Sequence, residues 1–495
     1  MTESSLEQHS ATRGRTYWRT LLFRILAIGV GLLPFLAAEV VLRLCDLPKK
    51  QAAVDPYVDL HSLSPLFEEN DGQMVIGENR LHLFRPTSFT RAKPPEVFRV
   101  FALGGSTTQG EPYSTETSFP KWTQLCLQSA SQRQIEMINC GGLSYASYRV
   151  LAILREVLQY DPDLIIVYTG HNEFLEKRSY QGLELSDPAN QIRGWVGAMH
   201  LVRFARETLM GPASRQNPLV ENPTALKREV DALLDYQGGL EAYQRDDAYD
   251  AGVVSHFAWN LRTIINECDQ AAVPLVLVAP VRNILDCPPF KIQADPRLTD
   301  DQLDSVAQAW ELARETEDRE LALDAARGVL KLDDRHSGAL YLIGRDEYEK
   351  GNWEEAKRFL GQATDNDVCK LRAPMEIRSV VISLAEQMGV ACLDAQSLFE
   401  GISRHGIVGN AWLVDHIHPS VEGHQKLGEA LTETILSAGM IGTEVSDWKA
   451  DSRIAWRKHF DSLNEAYFER GNQRLEGLLR WTQGRAKKVR DAQAD

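Results

Sequence analysis

Five short apolar runs, each closed by a turn signal, constrain this chain more than any other feature. They are Val97–Leu103 (VFRVFAL), Ile135–Asn139 (IEMIN), Leu164–Tyr168 (LIIVY), Pro274–Ala279 (PLVLVA) and Val390–Leu393 (VACL). They end at Gly104-Gly105, Gly141-Gly142, Thr169-Gly170, Pro280 and Asp394. Runs of this length and composition read as strands buried on both faces. Helical patterns near 118–130, 147–160, 254–270, 374–388 and 420–437 lie between and after them. Alternation of this kind predicts an α/β fold, because parallel strands need crossovers and helices supply them. Ligands of such sheets sit beyond the carboxyl ends of the strands, so the strand exits are where chemistry is sought.

The segments outside the alternation set the domain plan. Residues 1–46 read as a cytoplasmic tail and transmembrane anchor. Leu21–Leu44 is uncharged from Ile25 to Ala38 and reaches spanning length by including Arg24, Glu39 and Arg43, which can snorkel. Tyr17 and Trp18 stand where an aromatic belt would, and Arg13, Arg15, Arg19 and Arg24 precede the apolar core. That charge bias predicts a single-pass inner-membrane protein with a cytoplasmic N-terminus and an extracytoplasmic remainder. A cleaved signal peptide and an interfacial or buried helix are the competing readings. Residues 47–94 read as a linker, and 95–298 as the first part of the main domain with an insertion at 176–250. Residues 299–368 read as a helical insertion, 369–442 as the second part of the main domain, and 443–495 as an amphipathic helical tail. Trp456, Phe460, Leu463 and Tyr467 follow helical spacing in that tail, which predicts packing on its own protein, with a membrane-surface or partner helix as the alternative.

The formal charge of -15 excludes nucleic acid as a general partner. Seven cysteines are too few for a disulfide scaffold. Cys287 and Cys369 bracket the helical insertion and form the best-placed pair for a bridge; Cys126 with Cys140 is another, and buried thiols are the rival. Within the insertion, Leu342, Gly344, Tyr348, Gly351, Trp353, Ala356, Leu360 and Ala363 resemble the pattern of a tetratricopeptide repeat. The resemblance implies a pair of packed helices and a candidate site for a protein partner; a plain helical hairpin without a partner is the alternative.

Two strand exits and one late loop carry reactive side chains. Ser106 follows the first strand in FALGGST. Serine is a weak nucleophile until a base takes its proton, and a histidine can be that base. Asp415-His416-Ile417-His418-Pro419 offers His418 with Asp415 to fix its tautomer, while His416 and His424 compete for the role. Gly170-His171-Asn172-Glu173 offers an amide donor for an oxyanion. Asp415, His416, His418 and His424 as zinc ligands are a weaker reading, since it leaves Ser106 and Asn172 unused.

FALGGST, INCGGLSYAS, VYTGHNE and DHIHP, in this order after consecutive strands, resemble the SGNH branch of the GDSL hydrolases. The resemblance covers roughly 97–172, 254–290 and 374–437. It implies a flavodoxin-like three-layer α/β/α sandwich on a five-stranded parallel sheet. It also implies ester hydrolysis through an acyl-enzyme with Ser106 as nucleophile, His418 as base and Asp415 as its orienter. The oxyanion hole would comprise Ser106, Asn172 and a backbone N–H at Gly142, or at Ser144 in the neighbouring register. No metal or organic cofactor is implied. Glu173 and Arg372 are candidate substrate contacts, with loop-holding as the alternative for each. The chain departs from the pattern at Gly105 and Thr107, where Asp and Leu are usual, and His418 stands 312 residues after Ser106. The expected activity is a serine esterase acting on an ester-linked acyl group of the cell envelope. An acyltransferase to an envelope glycan or lipid, and an interaction scaffold working through the helical insertion, are the alternatives.

Overall fold

The computed structural model describes residues 24, 26, 29–31, 33–42, 55–59, 64–131, 133–180, 201, 224–235, 239–442, 445 and 447–478. The chain divides into two units, 1–56 with 181–222, and 57–180 with 223–495. In the first unit residues 24, 26, 29–31 and 33–42 are helical. Leu33, Phe35, Leu36, Val40 and Val41 are exposed there, and Glu39 accepts from the Leu201 N–H at 2.8 Å. Among the described residues no helix is long and apolar enough to cross a membrane, so the spanning helix expected over Leu21–Leu44 is not supported. Tyr17, Trp18, the three arginines before Arg24, and Cys45 lie outside the described residues.

The second unit is built on a parallel sheet of β1 (Val97–Gly104), β2 (Gln134–Gly141), β3 (Leu164–Tyr168), β4 (Leu275–Ala279) and β5 (Ala391–Asp394), in the order β2-β1-β3-β4-β5. All five expected runs are strands, within two residues at each end. Alternate side chains feed opposite faces. Phe101, Leu103, Ile165, Val167, Leu275 and Leu277 pack under α3 (Ser147–Val157), α4 (Asp247–Gln270) and α9 (Met375–Met388). Val100, Ala102, Leu164, Ile166, Val276 and Val278 pack under α2 (Phe119–Ser131), α10 (Ala395–Ile402) and α11 (Val421–Ser437). The result is a three-layer α/β/α sandwich. Helix α4 begins seven residues before the apolar pattern does, because Asp246 caps it by accepting from the Tyr249 N–H.

Residues 64–90 are more than a linker. Phe67–Asn70, Gln73–Ile76 and Ser88–Thr90 form a small antiparallel sheet, and Leu66, Phe67, Met74, Ile76, Phe84 and Phe89 join the main core. Glu156 of α3 fixes its start by accepting from the Leu66 and Phe67 N–H groups at 2.6 and 2.8 Å.

The helical insertion is α5 (Asp300–Glu315), α6 (Arg319–Leu332), α7 (Ser337–Lys350) and α8 (Trp353–Asp365). Consecutive helices pack on one another. Close approach of α7 and α8 depends on Gly344, where a Cβ would lie 2.9 Å from Leu360 Cγ. The insertion leans on the sandwich: the Trp353 ring stacks on His405 at 3.6 Å, and Arg345 donates to Leu285 O and Asp286. Cys287 and Cys369 are thiols sharing one apolar cluster with Phe290, Val368 and Leu371; the expected bridge is not formed, nor is one between Cys126 and Cys140.

The tail packs on its own protein. In α12 (Trp448–Ser462), Trp448 covers Cys126 and Ala130, and Trp456 meets the Trp122 edge. Residues 465–478 are helical and lie against the loop after Ser106. Tyr467 Oη is 2.9 Å from Thr117 Oγ1, and Arg474 donates to the carbonyls of Pro112 and Tyr113 at 2.7 Å each.

Candidate active site

Ser106 stands at the exit of β1 and opens a one-turn helix, α1 (Ser106–Gln109). The sequence suggests no helix before ~118, so the serine is held more tightly than expected. Its carbonyl accepts from the Gly110 and Glu111 N–H groups at 3.0 and 3.1 Å, closing the turn. The glycines before it are spatial necessities. A Cβ at Gly104 would lie 2.1 Å from Tyr168 O, and one at Gly105 would lie 2.6 Å from Asn172 Nδ2. The absence of a side chain at 105 therefore admits the asparagine amide beside the serine turn.

The chain closes over 312 residues to bring His418 Nε2 within 2.8 Å of Ser106 Oγ. His418 Nδ1 lies 2.7 Å from Asp415 Oδ2. Asp415 Oδ1 accepts from the Ile417 and His418 N–H groups at 2.9 and 2.7 Å, so one short turn fixes the carboxylate and presents the imidazole. Pro419 ends the turn and Ser420 caps α11 from the Gly423 N–H. All of Asp415, His416, His418 and His424 are buried.

Burial alone would raise the Asp415 carboxyl, but the His418 and His416 imidazoles outweigh it and hold the group well below the usual carboxylate range. Burial would lower His418; the charge and hydrogen bond of Asp415, with a smaller contribution from Glu111, reverse that and raise it. A base of raised pKa has more affinity for the serine proton. Its neighbours are tuned the opposite way. Burial, helped by His416 and His418, pushes His171 down to about 3, and burial with His418 does the same to His424. These two are neutral spacers: His171 Nδ1 accepts from Ala373 N–H at 3.2 Å, and His424 Nδ1 from Phe119 N–H at 3.1 Å. His416 Nδ1 lies 3.2 Å from the same Asp415 oxygen that His418 uses, so it shares the carboxylate, while His418 is the imidazole bonded to Ser106. Among the described residues no group of three or more His, Cys, Asp or Glu is arranged to hold a metal ion.

Asn172 donates one amide proton to Tyr145 O at 3.0 Å, which aims the group and leaves its second donor for an oxyanion. The third donor differs from the Gly142 expectation. The Gly142 N–H is already given to Gly104 O at 3.0 Å, extending the β1–β2 pairing. Ser144, two residues on, has a left-handed backbone with φ of 60°, and its N–H has no acceptor among the described residues. The candidate donors are therefore Ser106 N–H, Ser144 N–H and Asn172 Nδ2. A backbone donor leaves no side-chain signature; the register alternative at Ser144 was the only sequence sign of it.

The two candidate substrate contacts are framework residues. Glu173 is fully buried and accepts from Ser147 N–H and Oγ at 2.8 and 2.9 Å, capping α3. Arg372 is equally enclosed: Nη1 donates to Asn283 O and Cys287 O at 2.9 and 2.6 Å, and Nη2 reaches Pro288 O and Asp367 Oδ2 at 3.4 and 3.2 Å. Each is buried with partners supplied by the protein, in keeping with the loop-holding alternative. Sequence reasoning passed over Glu111, whose carboxylate sits between Arg85 and Arg474 one turn from the serine.

No family model matches the sequence, and no curated protein is similar to it. Solved structures are. Axe2, an acetylxylan esterase from Geobacillus stearothermophilus, is 12% identical over 70% of this chain and 96% of its own, with a TM-score of 0.30. A lipase/acylhydrolase from Enterococcus faecalis is 12% identical over 70% of this chain and 99% of its own, with a TM-score of 0.32. An acylhydrolase-like chain from Bacteroides fragilis covers 70% of this chain and 90% of its own at 11% identity and a TM-score of 0.31.

Proposed function

We propose that this chain is a serine ester hydrolase of the SGNH type, working through an acyl-enzyme. One observation carries the reading: Ser106 Oγ, the His418 imidazole and the Asp415 carboxylate form a continuous relay of 2.8 and 2.7 Å. In the attack, the Ser106 proton passes to His418 Nε2 while Oγ bonds to the ester carbonyl carbon. The negative charge then on the carbonyl oxygen is met by Asn172 Nδ2–H and the Ser106 and Ser144 N–H groups; preorganised donors of this kind are worth about 3–4 kcal/mol apiece. His418 returns its proton to the departing alkoxide, leaving an ester on Ser106. Water repeats the sequence in reverse, giving up a proton to His418 and releasing the carboxylic acid. Asp415 keeps the Nδ1 proton in place and balances the imidazolium.

The placing of the substrate in the cell envelope rests on the apolar, arginine-led N-terminus. A partner at the helical insertion is supported by its repeat-like pattern alone. The test is labelling of the full-length protein with a fluorophosphonate probe, beside Ser106→Ala and His418→Ala, followed by acyl esters of graded chain length. Labelling that vanishes in the first variant and drops sharply in the second supports the reading. A folded wild-type protein that resists the probe and cleaves none of the esters overturns it.

A further inference from the structure

Two strands of chain connect the helical insertion to the sandwich, and the first of them is bonded to the catalytic turn. The outgoing one, 283–291, runs beside Asp415 and His416. Asn283 is fully buried and every one of its polar groups is engaged. Its N–H donates to His416 O at 3.0 Å; its Nδ2 donates to Asp415 O at 2.9 Å and to Asn410 Oδ1 at 2.8 Å; its Oδ1 accepts from Asp286 N–H at 3.0 Å. Farther along, the Phe290 ring meets His416 edge-on at 5.4 Å. The returning strand, 367–373, closes the bridge from behind. Asp367 accepts from the Phe290 and Lys291 N–H groups at 2.7 and 3.0 Å, and Arg372 donates to Asn283 O. The next residue, Ala373, donates to His171, the neighbour of Asn172.

We propose that Asn283, braced by Arg372, is a positioning residue that sets the Asp415–His418 turn, so that the seat of the helical insertion and the catalytic base share one hydrogen-bonded bridge. The carbonyls of Asp415 and His416 are adjacent, and a donor from Asn283 on each fixes the peptide plane between them. That plane determines where the Asp415 carboxylate points, and the carboxylate determines the His418 ring. The side-chain amide holds the Asp415 carbonyl and the backbone N–H holds that of His416. Among the described residues Asn283 makes no hydrogen bond to Ser106, so its effect on the reaction passes through the turn. The helical unit is then anchored in the machinery it flanks: motion of its two connecting strands is motion of Asn283.

The proposal rests on the Ser106–His418–Asp415 reading for its activity arm alone, and the test separates the two. In Asn283→Ala and in the near-isosteric Asn283→Leu, neither of which can donate to Asp415 O, the His418 imidazole would be titrated by NMR and the fluorophosphonate labelling rate measured. The groups facing His418 are Asp415 and His416 on its own turn, Glu111 after Ser106, His171 beside Asn172 and His424 on α11; none is altered. Expected is a fall of the His418 midpoint toward the ordinary imidazole value in both variants, with labelling slowed about tenfold and KM for an ester unchanged. A result in which Leu matches wild type while Ala does not would reduce Asn283 to a space-filler and overturn the proposal; so would an unmoved His418 titration. Should both buried variants fail to fold, Asn410→Ala, at an exposed position, removes one restraint on the same amide and must move the titration in the same direction. If wild type resists labelling, the esterase reading falls while the titration still decides the role of Asn283.

Discussion

Replacing Asp415 by Asn isolates what the carboxylate does, because the shape is kept. Asp415 Oδ1 accepts two backbone N–H groups and Oδ2 faces His418 Nδ1 at 2.7 Å. In Asp415→Asn the amide oxygen keeps the two backbone donors, which places the NH2 group opposite Nδ1. Two donors cannot face each other, so His418 moves its proton to Nε2, the atom 2.8 Å from Ser106 Oγ. The lone pair that must take the serine proton is then gone. Trapping the wrong tautomer in this way costs on the order of 10⁴ in rate in serine-protease triads, which is about 5.5 kcal/mol of transition-state stabilisation. The second-order rate of fluorophosphonate labelling should fall by about 10³–10⁴, with an unchanged circular dichroism spectrum. The pH dependence supplies a second reading. His418 must be unprotonated to act, and its pKa lies above 6.5 in the wild type, so reactivity should rise with pH through a midpoint above that value. A loss smaller than tenfold in the folded variant would refute the tautomer argument.

Other expectations follow from single contacts. Gly344→Ala forces a Cβ against Leu360, with its backbone N 3.0 Å away, and should lower stability by about 1–3 kcal/mol, whereas Gly361→Ala on α8 meets nothing within 4 Å and should be neutral or stabilising; thermal melts of the two variants compare them directly. Three buried histidines make the fold acid-sensitive. His171 and His424 are held down to about 3 and His336 to about 4, so the unfolded chain binds protons that the native state refuses between 6.5 and those values. Their contribution is complete above pH 6.5 and is lost as pH falls, at up to about 1.4 kcal/mol per unit for each, which denaturant midpoints at pH 7 and pH 5 will register. Arg474→Ala cuts the tail from the Pro112 and Tyr113 carbonyls and from Glu111; slower labelling with little change in melting temperature is expected, and a melting loss without a labelling change would show the tail to be a structural cover only.

How much of this was legible beforehand depended on how each feature is encoded. The three inner sheet strands are buried along their length, so their sequence is apolar apart from Arg99, and the exits of all five are marked by glycine, proline or a polar residue. Because reactive residues of such a sheet gather at strand exits, Ser106, Asn172 and the Asp415–His418 turn could be assembled without coordinates. The strands at 67–90 escaped notice because each has three or four residues, half of them polar, and their apolar members contribute to a core built by other segments. Other assignments stay open in the sequence for a different reason. The resemblance places an oxyanion donor at Gly142 or at Ser144, and a backbone N–H is available only where no neighbouring carbonyl has taken it. Glu173 and Arg372 read as substrate contacts or as loop holders, and each is bonded inside the protein. A sequence shows which groups carry protons and charge. Whether they are offered to a ligand depends on what else has bonded them, and Asn283 shows the same rule from the other side: a neutral residue in an unremarkable loop, silent in the sequence, whose position follows from five hydrogen bonds that only the fold brings together.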